Sequence, residues 1–258
     1  MLRARMTSAP PSAVVTGASR GIGRAVALRF ARHGYLVWAL ARSAADLESL
    51  HGEEPERVRP LVVDGADEQA LRAACKTILQ EGVPSVLVNN AGIAVSATLA
   101  KTAMEDFDRT MAVNLRAPFV LCQELVPGME ARRSGRVINI SSTAGLRGFR
   151  YTAAYSASKH ALVGLTRSLA LELATTGVTV NAVCPGWVDT DMVARAAERI
   201  NQTTGRSVEQ ARQVLERMHP IGRFVRPEEV AEVCLFLASE GAGAITGATY
   251  VIDGGELA

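Results

Sequence analysis

Short apolar runs alternate with longer helix-like segments along the whole chain, and this alternation most strongly limits what the chain can fold into. The runs span residues 13–16, 36–40, 61–63, 85–88, 136–140, 178–183 and 249–252. Their apolar residues are consecutive, which indicates strands buried on both faces. Such strands separated by helices predict an α/β fold with a doubly wound parallel sheet of about seven strands.

Two segments depart from this alternation. We expect the first eleven residues to form a flexible tail, so that residues 12–258 make up one domain without a linker or an internal repeat. Residues 190–226 form a polar, Arg-rich connection, much longer than the roughly 15 residues at which a loop in a compact domain becomes unusual. Apolar spacing from Met192 to Ile200 and from Val208 to Met218 predicts two short helices there. We interpret this segment as a lid.

Composition excludes several classes of protein. A hydrophobic content of 48% and a net charge of +2 argue against disorder, nucleic-acid binding and attraction to an anionic membrane. No apolar run reaches 18 residues, and the N-terminus has no apolar signal segment. The four cysteines lack metal-site spacing, so we expect no metal and a cytoplasmic protein with reduced thiols.

A glycine-rich segment joins the first predicted strand to the first predicted helix. Residues 16–23 read Thr-Gly-Ala-Ser-Arg-Gly-Ile-Gly. Glycine allows the backbone to approach a pyrophosphate closely, and the following helix offers free N–H groups and its positive dipole end. A plain tight turn is the alternative, but the position at the first strand–helix junction favours a dinucleotide site. Its predicted members are Gly17, Ser19, Arg20, Gly21, Ile22 and Gly23.

Tyr155 and Lys159 are four residues apart on a predicted helix, so they project from the same face. Reduction of a carbonyl needs a proton donor, but a free phenol has a pKa of about 10. An adjacent ammonium would bring that pKa closer to working pH. Only three of the 28 basic residues are lysines, which favours a specific role for Lys159 over a chance surface pair.

These residues occur together with further motifs. They are Asp64, Asn-Asn-Ala-Gly at 89–92, Asn114, Ser142, Tyr-Ser-Ala-Ser-Lys at 155–159 and Pro-Gly-Trp-Val-Asp-Thr at 185–190. With this combination the chain resembles the short-chain dehydrogenase/reductase family, which has a Rossmann-like fold, from Ala13 to Gly255. Within the family it resembles 3-oxoacyl-(acyl-carrier-protein) reductases, polyketide ketoreductases and 3-hydroxybutyrate dehydrogenases.

The resemblance implies four catalytic residues. Tyr155 would be the general acid in reduction and the general base in oxidation, while Lys159 would lower the pKa of Tyr155 and hold the nicotinamide ribose. Ser142, rather than Ser141, would orient the substrate carbonyl. Asn114 would interrupt a helix and hold a water of the proton relay. Substrate contacts would come from Ser142, Tyr155 and Trp187, together with the lid and the loop at 93–99.

The resemblance also implies cofactor contacts along the chain. They are Asp64 and Gly65 near the adenine; Asn90, Ala91 and Gly92 near the adenosine ribose; and Tyr155, Lys159, Pro185, Gly186, Val188 and Thr190 near the nicotinamide. The second strand ends in Leu40-Ala41-Arg42 and lacks the acid with which an NAD enzyme usually ends this strand and binds the ribose 2′-OH. Arg42 and Arg20 can both approach a 2′-phosphate, so we expect NADP(H), with NAD(H) less favoured.

Three functions remain open from the sequence. The first is a carbonyl reductase for 3-oxoacyl substrates, on a carrier protein or coenzyme A, or for polyketide ketones. The second is a dehydrogenase of cyclic, sugar or 3-hydroxy acid alcohols, and the third is a non-catalytic dinucleotide sensor. Arg132-Arg133 resembles a carrier-protein docking spot, although the second basic position of that spot is Thr175-Thr176 here. Helices near 102–131 and 153–175, with residues 245–255, resemble the interfaces of a homotetramer.

Overall fold

The computed structural model describes residues 10–217 and 219–258, which form one parallel sheet with helices on both faces. The strands are β1 (Ser12–Thr16), β2 (Leu36–Ala41), β3 (Val58–Val62), β4 (Val86–Asn89), β5 (Gly135–Ile140), β6 (Val178–Pro185) and β7 (Thr249–Ile252). Their order is β3-β2-β1-β4-β5-β6-β7, and every pairing is parallel. The predicted doubly wound α/β fold is therefore confirmed.

The helices divide into two covering layers and a lid. They are α1 (Gly21–Arg32), α2 (Ala44–Glu53), α3 (Glu68–Glu81), α4 (Met104–Met111), α5 (Ala117–Ala131), α6 (Ala153–Glu172), α7 (Asp191–Thr204), α8 (Val208–Glu216) and α9 (Pro227–Ala238). Apolar side chains of α1, α2 and α9 pack on one face of the sheet, and those of α3, α5 and α6 on the other. Burial of both faces explains the consecutive apolar residues in the central strands.

The third strand differs from the prediction. It spans Val58–Val62 rather than 61–63, and it pairs with β2 alone. Arg59 and Pro60 break the apolar run, which concealed its first half in the sequence. Proline lacks an N–H group and is tolerated on an edge strand, and Val62 is 62% exposed. The expectation of burial on both faces is wrong for this edge strand.

The predicted lid contains two helices, α7 and α8, as its apolar spacing indicated, although α7 has 14 residues and is not short. The lid also makes a backbone contact that was not predicted: Val188 and Val225 form an isolated parallel bridge. Met218 of the predicted second helix and residues 1–9 of the predicted tail lie outside the described residues. The Pro11 carbonyl already accepts a hydrogen bond from the Leu36 N–H, so sheet contacts begin within the predicted tail.

Candidate active site

The order of strands places the glycine loop at the centre of the sheet's carboxyl edge. β1 lies between β2 and β4, and the chain leaves these strands in opposite directions. A crevice therefore opens beyond their carboxyl ends, where doubly wound folds bind ligands. The glycine loop follows β1, and the 89–92 segment closes β4 beside it.

Close backbone packing explains the glycines of this loop. A Cβ at Gly17 would lie 2.9 Å from the Ala91 Cα, and one at Gly23 would lie 2.2 Å from the Gly17 carbonyl oxygen. Gly17 and Gly21 also have positive φ angles of 65° and 53°, which glycine adopts without strain. α1 begins at Gly21 without a side-chain cap, so its first N–H groups can bind an anion.

The Asn90 side chain is bound within the protein, while the contact of this segment with the adenosine ribose stays a prediction. Its side-chain Nδ2 donates to the Thr16 carbonyl at 2.8 Å and to the Gly17 carbonyl at 3.3 Å. The Thr16 hydroxyl in turn accepts from the N–H groups of Asn90 and Ala91, at 3.0 and 2.9 Å. The Asn90 amide is thus occupied in holding the glycine loop against the end of β4, and Thr16 is its partner.

Tyr155 and Lys159 lie on the first two turns of α6, on one face as predicted. The Lys159 Nζ is 5.8 Å from the centroid of the Tyr155 ring and donates to the Ile140 carbonyl at 2.8 Å. Gly92 faces both the lysine and Asn114: a Cβ there would lie 3.4 Å from the Lys159 Nζ and 3.5 Å from the Asn114 Oδ1. The structure therefore brings Gly92, Asn114, Tyr155 and Lys159 together.

The pKa directions within this group differ from the expectation. Burial raises the pKa of Tyr155 above 10, and a hydrogen bond with Ser142 lowers it by less. Burial also lowers the pKa of Lys159 from 10.5 to about 8. The predicted lowering of the Tyr155 pKa by Lys159 is not found in this structure, where burial, Ser142 and Cys184 determine that pKa.

The two neighbouring serines have different partners. The Ser141 hydroxyl is buried and donates to the Lys159 carbonyl at 3.1 Å. Ser142 is half-buried, lies beside Tyr155, and accepts from the Ala144 N–H at 3.1 Å. Only Ser142 is thus placed to meet a substrate oxygen together with the phenol.

Asn114 lies in a π-helical turn (Ala112–Arg116) between α4 and α5, as expected for a residue that interrupts a helix. Its side chain is buried, and its oxygen accepts from the Ile93 N–H at 2.9 Å. The amide nitrogen donates to the Ile93 carbonyl at 2.9 Å and to the Ser158 hydroxyl at 3.0 Å. The amide thus joins the segment after β4 to α6, and the role of Asn114 in holding a relay water stays a prediction.

Asp64, which we predict to lie near the adenine, forms an ion pair that the sequence did not predict. Arg109 of α4 donates to Asp64 Oδ2 at 3.1 Å, and the Ala66 N–H donates to Asp64 Oδ1 at 3.0 Å. These bonds and the nearby Arg42 lower the pKa of Asp64, with the Ala66 bond contributing most. Gly65 adjoins this group, and its added Cβ would meet only Val113 within 4 Å.

Arg20 and Arg42 approach different carboxylates. Arg42 is exposed at the end of β2, and its positive charge helps to lower the pKa of Asp64. The Arg20 guanidinium instead lies 3.4 Å from Asp191 at the start of α7. Ser19 and Ile22 lie half-buried in the loop and in the first turn of α1. Convergence of the two arginines on one phosphate stays a prediction.

The segment after β6 closes the crevice opposite the glycine loop. Thr190 touches this loop, because a Cβ at Gly21 would lie 3.0 Å from the Thr190 Cγ2. The Thr190 hydroxyl donates to the Val188 carbonyl at 3.1 Å. The Trp187 side chain packs with Val193 and Phe224 in the apolar cluster of the lid, so it anchors the lid, and its contact with substrate stays a prediction.

Arg132 and Arg133 are engaged within the chain. Arg132 donates to the carbonyls of Val83, Pro84 and Ser134, and Arg133 donates to the Thr175 carbonyl at 2.9 Å. Burial lowers the pKa of Arg132. These contacts support a structural role and weaken the carrier-docking interpretation.

Comparisons with known proteins agree with this geometry. A family model described as enoyl-(acyl carrier protein) reductase matches residues 17–256. The chain belongs to the short-chain dehydrogenase/reductase family. It is an oxidoreductase of the class that interconverts ketones and secondary alcohols.

Individual relatives match this chain over nearly its whole length. The chain is 39% identical to the 3-oxoacyl-[acyl-carrier-protein] reductase of Thermotoga maritima, over 94% of this chain and 96% of that protein. It is 38% identical to D-beta-hydroxybutyrate dehydrogenase of Cupriavidus necator, over 96% and 98% respectively. A crystal structure of an actinorhodin polyketide ketoreductase variant with NADPH superposes with a TM-score of 0.92 at 38% identity, covering 96% of this chain and 97% of that one.

Proposed function

We propose that the chain reduces a 3-oxoacyl thioester or a related polyketide ketone with NADPH. The observation that carries this proposal is the grouping of Ser142, Tyr155 and Lys159 at the crevice formed by the glycine loop and the segment after β6. The Thermotoga maritima reductase and the actinorhodin ketoreductase act on such substrates by their names, whereas the Cupriavidus necator relative is named as a dehydrogenase of a 3-hydroxy acid. The whole-length match to the two reductases supports carrying their activity to this chain.

The glycine loop has backbone features that suit a dinucleotide. The contacts that forbid a Cβ at Gly17 and Gly23 hold the loop tightly against the end of β4, and the loop backbone with the uncapped first turn of α1 forms the cradle that we propose for the cofactor. The cradle would hold the pyrophosphate, while Lys159 and the segment from Pro185 to Thr190 would hold the nicotinamide ribose and its carboxamide. The bound dinucleotide supplies the hydride.

The chain supplies the proton and the orientation of the substrate. Ser142 donates a hydrogen bond to the substrate carbonyl oxygen, and the Tyr155 hydroxyl transfers its proton to that oxygen as negative charge develops. Burial raises the pKa of the Tyr155 phenol, which favours the protonated form that a general acid needs. The alternative oxidation of an alcohol would use the same residues in reverse, with Tyr155 as the general base.

The preference for NADPH rests on the end of β2. Arg42 is exposed there, and the strand ends with Ala41 where an NAD enzyme usually has an acid. A guanidinium can bind a 2′-phosphate through two parallel hydrogen bonds. A carboxylate at the same point would repel that phosphate.

A docked acyl-carrier protein has less support than the ketone chemistry. The two arginines predicted to bind it are engaged with backbone carbonyls, and the companion position is Thr175-Thr176. We therefore consider coenzyme A thioesters and free ketones as well supported as substrates as carrier-bound acyl groups. A comparison of the same acyl group on both carriers distinguishes these cases.

A homotetramer is the assembly we propose. Phe119 on α5 and Leu171 on α6 are exposed apolar residues on the two helices predicted to form one interface. Phe236 on α9 and Val251 on the edge strand β7 are exposed near the other predicted interface. Unpaired β7 backbone and apolar side chains are features that a second copy can cover.

The location we propose is the cytoplasm. All four cysteines are buried free thiols, which suits a reducing compartment. Among the described residues, no helix combines the length and apolarity needed to cross a membrane.

The decisive experiment compares the unmodified protein with Tyr155→Phe on a panel of ketones and alcohols with each nicotinamide cofactor. We expect NADPH-dependent ketone reduction by the unmodified protein and its loss in the variant, with NADPH binding nearly unchanged in a fluorescence titration. The variant removes one hydroxyl and preserves the ring. Substantial reduction by the variant would refute the role of Tyr155, and binding without any turnover by the unmodified protein would favour the sensor.

A further inference from the structure

Gly186, the first residue after β6, is enclosed by side chains from two other segments. A Cβ at this position would lie 2.8 Å from the His219 Cε1, 3.0 Å from the Glu256 Oε2 and 3.1 Å from the Asp253 Cβ. No larger residue fits without displacing them. The turn that begins the proposed nicotinamide segment is therefore packed directly against His219 and the C-terminal residues.

His219 uses both ring nitrogens to connect these segments. Its side chain is buried, with 1% exposure. Its Nε2 accepts from the Trp187 N–H at 3.1 Å, and its Nδ1 donates to the Asp253 carbonyl at 2.6 Å. Because an amide N–H only donates and a carbonyl only accepts, these partners select the neutral ring with its proton on Nδ1.

His219 binds the peptide group before Trp187, and Val225 binds the peptide groups that follow it. The Trp187 carbonyl accepts from the Val225 N–H at 3.0 Å, and the Asp189 N–H donates to the Val225 carbonyl at 2.9 Å. The peptide groups on both sides of Val188 are thus bound to the end of the lid. Because the C=O and N–H of one trans peptide group point in opposite directions, the Val188 N–H faces away from Val225.

The C-terminal residues form a rigid support for His219. Asp253 accepts from the N–H groups of Gly255 and Leu257 at 2.9 and 2.8 Å, which fixes its own carbonyl. The Glu256 side chain is 3% exposed, and its Oε1 binds Arg147 at 2.9 Å. Arg147 belongs to the loop that follows Ser142, so this support also reaches the substrate side of the site.

We propose that His219 is a positioning residue for the nicotinamide: by accepting from the Trp187 N–H, it aims the Val188 N–H at the position of the carboxamide. This inference rests on the proposed function. His219 is buried and binds Trp187 and Asp253, so its effect on the nicotinamide is indirect in this proposal. Removal of the His219 side chain should weaken binding of the nicotinamide half of the dinucleotide and leave binding of the adenosine half unchanged.

Three substitutions separate this role from simple space filling. His219→Gln places an amide oxygen near the position of Nε2, so it can still accept from Trp187. His219→Asn can replace the Nδ1 donor to Asp253 but is too short to reach Trp187, and His219→Phe removes both bonds at similar volume. Two titrations are made for each folded variant: one with NADPH and one with adenosine 2′,5′-bisphosphate, which lacks the nicotinamide half.

We expect His219→Asn and His219→Phe to raise the Kd for NADPH by at least about fivefold, the lower end for a buried donor left unpaired. His219→Gln should restore most of the affinity, and all three variants should bind the bisphosphate as the unmodified protein does. In single-turnover reduction, hydride transfer should slow in the same order. Equal losses with Gln and Phe, parallel losses for both ligands, or no loss with Asn would overturn the proposal. Absence of NADPH binding by the unmodified protein would instead overturn the proposed function.

Discussion

Replacement of Lys159 by methionine tests how much stability the chain loses by burying a charged lysine. The side chain is 3% exposed, and burial lowers its pKa from 10.5 to about 8. A difference of about 2.5 pKa units corresponds to about 3 kcal/mol of destabilisation at neutral pH. Methionine keeps the length of the side chain and carries no charge. We expect Lys159→Met to abolish turnover and to remove this destabilisation.

The sign follows from proton binding. Between pH 8 and 10.5 the unfolded chain keeps the Lys159 proton and the folded chain does not, so the stability of the unmodified protein gains from rising pH in this window. The free energy of unfolding of Lys159→Met minus that of the unmodified protein should therefore fall by about 3 kcal/mol from pH 7 to pH 10.5. Loss of the bond to the Ile140 carbonyl shifts this difference by a constant amount and leaves its slope unchanged.

Urea unfolding at equal protein concentration and without dinucleotide measures both free energies. The raised thiol pKa values of Cys75, Cys122 and Cys234, each about 12, also alter stability at alkaline pH. They are shared by both proteins and cancel in the difference. Lys101→Met, at an exposed lysine, is the control and should give a nearly constant difference. A constant difference for Lys159→Met as well would refute the burial argument.

Three further predictions test other parts of the site. The double change Ala41→Asp with Arg42→Leu should raise the KM for NADPH and improve NADH use in steady-state assays, by one to about three kcal/mol between them; an unmodified protein that prefers NADH would contradict it. Gly23→Ala should abolish NADPH binding in a titration, because its Cβ would lie 2.2 Å from the Gly17 carbonyl oxygen, whereas Gly52→Ala, with nothing within 4 Å, should bind normally. Val251→Asp should lower the mass found by light scattering, and an unchanged tetramer would exclude β7 from the interface.

Much of the fold could be predicted because local patterns determine it. Apolar runs located six strands to within one or two residues at their ends, and the i, i+4 spacing placed Tyr155 and Lys159 on one helix face. The glycine loop was recognisable because a close approach of backbone to backbone requires glycine at Gly17 and Gly23. β3 was only half recognised, since an edge strand tolerates the Arg59-Pro60 pair that a central strand would not.

Contacts between distant segments could not be predicted in the same way. Arg109 meets Asp64 across 45 positions, and Trp187 meets His219 across 32. A buried histidine beside a proline gives no periodic signal, and Glu256 is one of 26 acidic residues. A glycine at position 186 is consistent with crowding, but the sequence does not show which residues lie against it.

The hydrogen bonds of the polar residues near the crevice separate those that support the site from those that can react. Asn90, Asn114 and Ser158 are polar and near the crevice, yet their bonds are directed at the protein: the Ser158 hydroxyl, for example, donates to the Tyr155 carbonyl at 2.7 Å and accepts from Asn114. Burial makes such bonds costly to break, so these groups suit a rigid frame better than a reaction. Tyr155 and Ser142 are only half-buried and lie at the open side of that frame. The frame therefore fixes their positions while leaving both hydroxyls able to meet a carbonyl oxygen.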